Sequence, residues 1–329
     1  MRIMRFYEYG GPEVLKLEEV ERPHPQAGEI LVKVEVIGLN YADTMQRRGM
    51  YPFPVPFPIV LGGDVVGRVI TLGEGVTSPA VGTCILTALP LGAYAEYITV
   101  PARTTSALPT QLSVHDALVL PVQGQTAYHV LTTAGHLRPG ESVLIQAAAG
   151  GVGSLAVQLA KALGAGLVIA TASTERKLDL VRSLGADVAI NYTQPDWAEQ
   201  VQDATQGKGV DLVLEMVGGT IFDHSIRLLA PFGRFVFFGA ASGENRVVEP
   251  IQLMNMQACI GFGLPPLIEK RPDLLEQGMQ TLLTLIEQGK VKPVIHSVLP
   301  FEQAAEAHHL LETRQTVGKV VLTLEEQRG

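Results

Sequence analysis

Residues 142–153 read Ser142-Val-Leu-Ile-Gln-Ala-Ala-Ala-Gly-Gly-Val-Gly153, a short apolar run followed by a glycine-rich turn. Leucines recur at every fourth position through 154–163, and this spacing predicts a helix. A strand that passes through glycines into a helix places N-terminal backbone N–H groups of the helix beside an anion. Gly150 permits that close approach, and Gly153 permits close packing of helix and strand. The stretch therefore predicts a dinucleotide-binding turn, in which the cofactor contacts are Gly150, Gly151, Val152 and Gly153.

The chain beyond residue 122 alternates between strand and helix patterns. Apolar strands alternating with amphipathic helices are typical of a parallel sheet covered on both faces. The predicted strands are 142–146, 167–170, 188–190, 210–215 and 233–238. The predicted helices are 154–163, 175–184, 197–205 and 221–229, and the C-terminal part adds helices at 272–288 and 301–311 and a strand at 318–323.

The chain before residue 122 has a different pattern. β-Branched and alternating runs at 30–37, 64–70 and 94–100 are separated by Gly and Pro, which predicts a small, mostly antiparallel β domain. The stretch 51–58 contains four prolines, so it cannot be a central strand and is predicted to be an extended loop. Its aromatic side chains either wall a cleft or belong to a rigid connector.

The composition excludes several classes of protein. The net charge is −8 and the chain has no basic tract, which argues against a nucleic-acid surface. The two cysteines, Cys84 and Cys259, are too few for a disulfide framework or a four-cysteine zinc site. No apolar run approaches membrane-spanning length, and the N-terminus lacks the apolar core of a signal peptide. We therefore expect a soluble, cytoplasmic protein without a nucleic-acid partner.

The residue just after the second strand of the alternating part, 167–170, selects between NAD and NADPH. An NAD enzyme places Asp or Glu there to accept from the ribose hydroxyls, whereas this chain has Ala172. A small neutral residue leaves room for a 2′-phosphate, to which Ser173, Arg176 and Lys177 can donate, and Tyr192 can add a hydroxyl. The alternative is a solvated first helical turn, but cations at a helix N-terminus oppose the helix dipole. The pattern therefore favours NADPH.

Six groups of residues spread along the chain carry a resemblance to a known superfamily. They are Gly10-Gly-Pro-Glu-Val-Leu15, Gly38-Leu-Asn40-Tyr-Ala-Asp43, Gln123-Gly-Gln-Thr-Ala-Tyr128, the turn at 147–153, Leu184-Gly-Ala-Asp187 with Asn191-Tyr192, and Gly318-Lys-Val-Val-Leu322. In combination and order they resemble the medium-chain dehydrogenase/reductases, and within them the zinc-free quinone oxidoreductases of the zeta-crystallin type. The resemblance implies an α/β protein in which a Rossmann doubly wound parallel sheet is joined to a GroES-like, mostly antiparallel β domain.

The resemblance also implies a domain order and an assembly. Residues 1–121 are expected to form the GroES-like catalytic domain, 122–264 the NADP-binding Rossmann domain, and 265–329 a return to the catalytic domain. The active site is expected in a cleft between the domains. A homodimer is expected, in which sheet edges near 257–263 pair across subunits.

The zinc positions of the alcohol dehydrogenase branch are changed in this chain. Asn40 and Gln123 occupy the positions at which that branch has cysteine ligands. Gly63-Asp64 occupies the positions of its His-Glu ligand pair. Two amides and a glycine do not supply the thiolate, imidazole or carboxylate that zinc needs. Without a Lewis acid to acidify an alcohol, the remaining chemistry is hydride transfer from NADPH to a conjugated acceptor such as a quinone or an α,β-unsaturated carbonyl.

The resemblance assigns catalytic roles to four residues that follow a predicted strand. Asn40 would polarise the acceptor oxygen beside the nicotinamide, Tyr41 and Tyr51 would donate a hydrogen bond or proton, and Asp43 would position the loop. The structural alternative is a polar turn with tyrosines at its edge. Asp64 is expected to be structural, because a carboxylate opposes a developing anion.

Further residues are expected at the cofactor. By resemblance, Gln125 and Thr126 approach it near the domain junction, and Lys319 matches a family lysine near the cofactor, although Lys319 can equally be an exposed strand charge. The adjacent His308 and His309 are interpreted as helix-surface residues. Met216, Phe238 and Gly239 follow predicted strands, whose C-terminal ends face the ligand in an open α/β sheet. The complete predicted cofactor set is Asn40, Gln125, Thr126, Gly150, Gly151, Val152, Gly153, Ser173, Arg176, Lys177, Tyr192, Met216, Phe238, Gly239 and Lys319.

The sequence leaves three functions open. The leading hypothesis is an NADPH-dependent quinone reductase. An enone or enoyl-thioester reductase uses the same scaffold and differs only around Tyr41, Tyr51, the proline-rich loop and Phe262. The stretch 259–264 lacks the basic residue that many relatives carry there, which puts an acidic-substrate contact in doubt. The third hypothesis is a crystallin-like structural protein that binds NADPH; the acidic composition weighs against the RNA binding known for some relatives.

Overall fold

The computed structural model describes residues 1–109 and 112–324. Its strands are β1 (Arg2–Phe6), β2 (Lys16–Glu19), β3 (Glu29–Gly38), β4 (Ile59–Val60), β5 (Asp64–Leu72), β6 (Cys84–Ala88), β7 (Tyr97–Pro101), β8 (Thr105–Ala107), β9 (Ser142–Ile145), β10 (Leu167–Ala172), β11 (Val188–Asn191), β12 (Val210–Glu215), β13 (Leu229–Phe237), β14 (Ala258–Gly261), β15 (Ile295–Pro300) and β16 (Lys319–Thr323). Its α-helices are α1 (Tyr41–Arg47), α2 (Val114–Ala117), α3 (Gln125–His129), α4 (Gly151–Ala162), α5 (Glu175–Ser183), α6 (Trp197–Ala204), α7 (Gly219–Arg227), α8 (Leu264–Lys270), α9 (Pro272–Glu287) and α10 (Ala304–Glu312).

The chain divides into two compact units. The first unit combines Met1–Val122 with Val294–Gly329, and the second is Gln123–Pro293. The return to the first unit therefore lies at Val294 rather than at residue 265. The reason is that α9 packs on α3 within the second unit, where the Gln125 side chain donates to the carbonyl of Leu275 at 2.8 Å.

The first unit is a β structure with two sheets. A seven-stranded sheet has the order β15-β16-β3-β5-β6-β8, with β7 also paired to β3, and only β15 and β16 run parallel. A three-stranded antiparallel sheet has the order β2-β1-β4. Large side chains such as Phe6, Tyr94 and Phe301 are fully buried in its core. The predicted mostly antiparallel β domain is confirmed.

The second unit is a doubly wound α/β structure. Its six strands are all parallel and have the order β11-β10-β9-β12-β13-β14. Strands β9, β10 and β12 are nearly continuous runs of buried residues, as expected of a sheet covered on both faces. The order reverses between β9 and β12, and ligands of such sheets bind beside the carboxyl ends of the strands at that point. The predicted Rossmann fold is confirmed.

The helix after the glycine turn starts earlier than its leucine spacing predicts. α4 begins at Gly151 instead of residue 154, because Gly150 has extended φ and ψ angles and acts as the N-cap. The first helical turn consists of Gly-Val-Gly, which carries no apolar periodicity. This early start brings the backbone N–H groups of the glycines to the helix N-terminus.

Candidate active site

The glycine turn of the second unit joins β9 to α4. The Gly150 N–H donates to the carbonyl of Ala147 at 3.0 Å, and no side chain among the described residues caps the helix at Gly150. A Cβ added at Gly153 would lie 2.5 Å from the Ala147 oxygen and 2.6 Å from the Ala148 Cα, so only glycine fits there. A Cβ at Gly150 would meet only the Ala147 oxygen, at 3.3 Å. The helix N-terminus is therefore approachable by an anion, and its residues fit the pyrophosphate of a dinucleotide.

The end of β10 lies beside the end of β11. Ala172 is 2% exposed and is the register partner of Asn191, and the Tyr192 N–H donates to the carbonyl of Ala172 at 3.1 Å. Tyr192 is thus held next to the position that selects the ribose contact. Among the predicted 2′-phosphate contacts, Ser173 is partly buried.

The first turn of α5 carries the predicted cations. Arg176 is exposed and Lys177 is partly buried. The side chain of Thr174 caps this helix by accepting from the Lys177 N–H. The sequence reasoning did not select Thr174, although a threonine before Glu175-Arg-Lys is a typical N-cap signal.

The carboxyl ends of the parallel strands β12 and β13 lie next to each other. The Phe238 N–H donates to the carbonyl of Glu215 at 2.9 Å, and a Cβ at Gly239 would lie 3.4 Å from the Met216 Cβ. The structure therefore brings Met216, Phe238 and Gly239 together, as their position after strands predicts. Since β12 pairs with β9, this group lies on the strand adjacent to the glycine turn.

Glu215 is a buried carboxyl that the sequence reasoning missed. Burial raises its pKa to about 7, although it accepts hydrogen bonds from the N–H groups of Val217 at 2.7 Å and Gly218 at 3.1 Å. Its signal in the sequence is an acidic residue at the C-terminal end of a mostly apolar strand, after the run Leu212-Val-Leu214. The carboxyl shapes the turn that leads into α7.

Gln125 and Thr126 are buried on α3. The Gln125 amide is engaged at both ends within the second unit, because Nε2 donates to Leu275 and Oε1 lies 3.1 Å from the His129 Nε2. The observed role of this side chain is to join α3 to α9. Its cofactor contact, like that of Thr126, stays a prediction.

In the first unit a buried polar cluster surrounds Asn40. Asn40 follows β3 and precedes α1, and its backbone N–H donates to the Asp43 Oδ2 at 2.9 Å. The Asn40 Nδ2 donates to the Asp64 Oδ2 at 2.8 Å, and the Lys319 Nζ donates to the Asn40 Oδ1 at 3.0 Å. Lys319 also forms an ion pair with Asp64. The Asn40 cluster (Asn40, Asp43, Asp64 and Lys319) is thus a connected network of two carboxyls, an amide and an ammonium.

The burial of this cluster excludes one of the two interpretations of Lys319. The side chains of Lys319 and Asp64 are both 0% exposed, so Lys319 is not an exposed strand charge. Burial raises the pKa of Asp64, and the Lys319 ammonium opposes that rise. Burial also raises the pKa of Asp43, to about 7, against the effect of the backbone N–H of Asn40.

Tyr41 and Tyr51 are both partly buried in the first unit. Burial raises the pKa of each phenol, and for Tyr51 the charge of Asp43 adds to the rise. The phenols therefore keep their protons at neutral pH and can donate hydrogen bonds. The Tyr51 ring stacks edge-on against Phe53, with ring centroids 5.9 Å apart, and Phe53 is 64% exposed.

The interpretation of His308 as a surface residue is wrong, whereas His309 is exposed. His308 is 0% exposed, and its Nε2 lies 3.0 Å from the hydroxyl of the buried Tyr94. Burial lowers the pKa of His308 to about 3. The helical spacing of Ala304, Ala307 and His308 indicates a common buried face and could have placed this histidine.

Two features are absent from residues 1–109 and 112–324. No three or more His, Cys, Asp or Glu side chains lie close enough together there to hold a metal ion. No helix in those ranges combines the length and the apolar character needed to cross a membrane.

Comparison with known proteins gives matches along the chain. Residues 26–110 match the alcohol dehydrogenase GroES-like domain, and residues 184–322 match the zinc-binding dehydrogenase model. A 2-haloacrylate reductase of a Burkholderia species is 34% identical, over 96% of this chain and 97% of its own. A Pseudomonas aeruginosa quinone oxidoreductase is 35% identical, over 97% and 98%.

Solved structures agree with these matches. The Escherichia coli quinone oxidoreductase complexed with NADPH has a TM-score of 0.92 and 33% identity, covering 98% of this chain and 100% of that one. The CurK enoyl reductase has a TM-score of 0.89 and 30% identity, covering 98% of each chain.

Proposed function

Because the chain belongs to the medium-chain dehydrogenase/reductase superfamily, we propose that it transfers hydride from NADPH to a quinone without a metal ion. The observation that carries the proposal is the approachable glycine turn at the reversal of the strand order in the second unit. The similar solved structure that contains NADPH supports the choice of cofactor. Ala172, which leaves room for a 2′-phosphate, and the cations of α5 support it independently.

The donor set of the Asn40 cluster argues for metal-free chemistry. Lys319 places an ammonium against the two side chains, Asn40 and Asp64, that correspond to zinc-ligand positions. A cation is therefore already provided by the chain, and an amide is a poor zinc ligand. Activity that is lost on treatment with a chelator and restored by zinc would contradict this part of the proposal.

The mechanism follows from which groups can donate hydrogen bonds. When bound, NADPH would supply the hydride. The Asn40 amide is suited to polarise the acceptor oxygen, and Tyr51, which keeps its proton, is suited to donate to the reduced oxygen. Asp43 accepts from the Asn40 backbone and orders the start of α1.

A second candidate function is the reduction of an enone or enoyl thioester. The similarity to a 2-haloacrylate reductase and to an enoyl reductase favours it, since both act on conjugated double bonds. A screen of NADPH oxidation over quinones, enones and enoyl thioesters separates the two candidates by kcat/KM. NADPH binding without reduction of any of these acceptors would instead support a crystallin-like role.

The cofactor choice can be tested at α5. We expect Arg176→Ala to weaken NADPH binding about tenfold or more while leaving NADH binding unchanged, because only NADPH carries the 2′-phosphate. Fluorescence titration of both cofactors gives the measurement. Arg182→Ala is the matched control, since Arg182 lies on the same helix and pairs with Glu175 and Asp179. Equal NADPH and NADH affinities in the unmodified protein would refute the assignment.

A further inference from the structure

We propose that Lys319 and Asp64 are positioning residues that hold the side-chain amide of Asn40 in one orientation, with an N–H of Nδ2 directed to the acceptor oxygen. This inference rests on the proposed function, because it assigns the group that binds the acceptor. It gives the family lysine a role through Asn40 rather than through the cofactor.

The donor and acceptor properties of the partners fix the orientation of the amide. A lysine ammonium can only donate hydrogen bonds, and an ionised carboxylate can only accept them. The Asn40 Oδ1 must therefore face Lys319, at 3.0 Å, and Nδ2 must face Asp64, at 2.8 Å. A flipped amide would place its N–H groups against the ammonium and its oxygen against the carboxylate, so one orientation is strongly favoured.

The hydrogen-bond count leaves one donor for a ligand. Nδ2 carries two N–H groups, of which one is used by Asp64. The second has no acceptor among the described residues. Gly63 is a neighbour of this amide, because a Cβ there would be in van der Waals contact with Nδ2, at 3.8 Å. Lys319 and Asp64 are 0% exposed, so neither side chain is open to direct contact with a ligand, whereas Asn40 is 7% exposed.

Three neighbouring strands build this arrangement. Gly38 at the end of β3 is the register partner of Asp64 in β5 and of Val321 in β16, the strand that begins at Lys319. A Cβ at Gly38 would lie 2.4 Å from the Lys319 Cε and 2.9 Å from its Nζ. Gly38 thus leaves the space that the lysine side chain occupies. Gly38→Ala offers a way to displace the ammonium without removing a charge.

The orientation can be tested without turnover. The chain contains four asparagines, so labelling asparagine alone with ¹⁵N gives four side-chain amide signals, and Asn40→Ala identifies one of them. We expect the Asn40 amide protons to exchange slowly with water. In Lys319→Met and in Gly38→Ala we expect fast exchange and a shifted signal. An unchanged Asn40 signal in both variants would overturn the proposal, and Gly38→Ala decides if Lys319→Met does not fold.

Kinetics then show whether Lys319 works through Asn40. We expect Lys319→Met to lower kcat for acceptor reduction about 100-fold, the size of a misplaced contact, with little change in the NADPH Kd. The double variant Asn40→Ala/Lys319→Met should be no slower than Asn40→Ala alone. Multiplied losses, or an NADPH Kd raised to match the loss of kcat, would overturn the proposal. Arg234→Met, which breaks the Arg234–Glu141 ion pair of the second unit, controls for general destabilisation.

The two proposals can fail separately. If the unmodified protein reduces none of the acceptors, the proposed function fails, while the amide signals still test the positioning of Asn40. If the protein reduces an acceptor and Lys319→Met leaves both kcat and the Asn40 signal unchanged, only the positioning proposal fails.

Discussion

At the residue scale, Asp43 links burial to pH dependence. Its pKa is raised from 3.8 to about 7 by burial, so the native state keeps a proton that the unfolded chain has lost. The resulting contribution to stability is fully present below the unfolded value of about 3.9 and is lost as the pH rises through about 7. Glu215, also raised to about 7, acts in the same direction. His308 acts in the opposite direction, because its lowered pKa reduces stability as the pH falls from 6.5 towards 3.

A single substitution separates Asp43 from the other groups. We expect Asp43→Asn to remove a slope of up to about 1.4 kcal/mol per pH unit from the unfolding free energy between roughly pH 4 and 7. Denaturant unfolding at several pH values gives the measurement, and His308→Gln should change the slope with the opposite sign. A difference between the unmodified protein and Asp43→Asn that is independent of pH would contradict the assignment.

The Asn40 cluster shows what can be predicted for single residues. Asn40, Asp43 and Lys319 are site candidates because the short motifs around them resemble those of the family. The hydrogen bonds of the cluster join residues that are far apart in sequence: Lys319 and Asn40 are separated by 279 positions, and Lys319 and Asp64 by 255. Such pairs depend on which strands are neighbours in the sheet. The local pattern around Lys319 therefore fits an exposed charge and a buried one equally well.

At the element scale, the two outer glycines of the turn have different physical roles. Gly153 contacts backbone atoms, so we expect Gly153→Ala to cost about 1–3 kcal/mol of stability through overpacking. Gly150→Ala should fold with a nearly unchanged Tm and lose NADPH affinity, because its Cβ would stand at the approach to the helix N-terminus. Thermal unfolding and fluorescence titration separate the two effects. Loss of stability in Gly150→Ala with normal NADPH binding would contradict this division of roles.

The same scale shows why some elements are easier to predict than others. Buried parallel strands such as β9 and β12 are recognisable in the sequence as short, mostly apolar runs, so their positions follow from local sequence. The helix α9 is also predicted, but the unit to which it belongs is decided by packing against α3. No local pattern reports that packing. The return at Val294 instead of residue 265 therefore requires the three-dimensional structure.

At the scale of the whole molecule, exposed apolar residues bear on assembly. Ile251 and Met254 are 68% and 73% exposed, and they precede β14, an edge strand that pairs only with β13 among the described residues. Unpaired edges and exposed apolar side chains are typical of surfaces that another chain covers. On this basis we keep the homodimer, in which edges near 257–263 pair, as a prediction.

The homodimer predicts a specific effect of charge on this surface. We expect the unmodified protein to be a dimer by light scattering after size-exclusion chromatography, and Ile251→Asp/Met254→Asp to shift it to a monomer, because two unpaired carboxylates per chain would be desolvated at the interface. Val81→Asp is the control, since Val81 is a 60% exposed apolar residue of the first unit. Monomeric elution of the unmodified protein, or equal dissociation by Val81→Asp, would refute the prediction. NADPH affinity in the monomer then shows whether each chain carries a complete cofactor site. We expect the affinity to be retained, because the glycine turn, Ala172 and the α5 cations all lie in one unit.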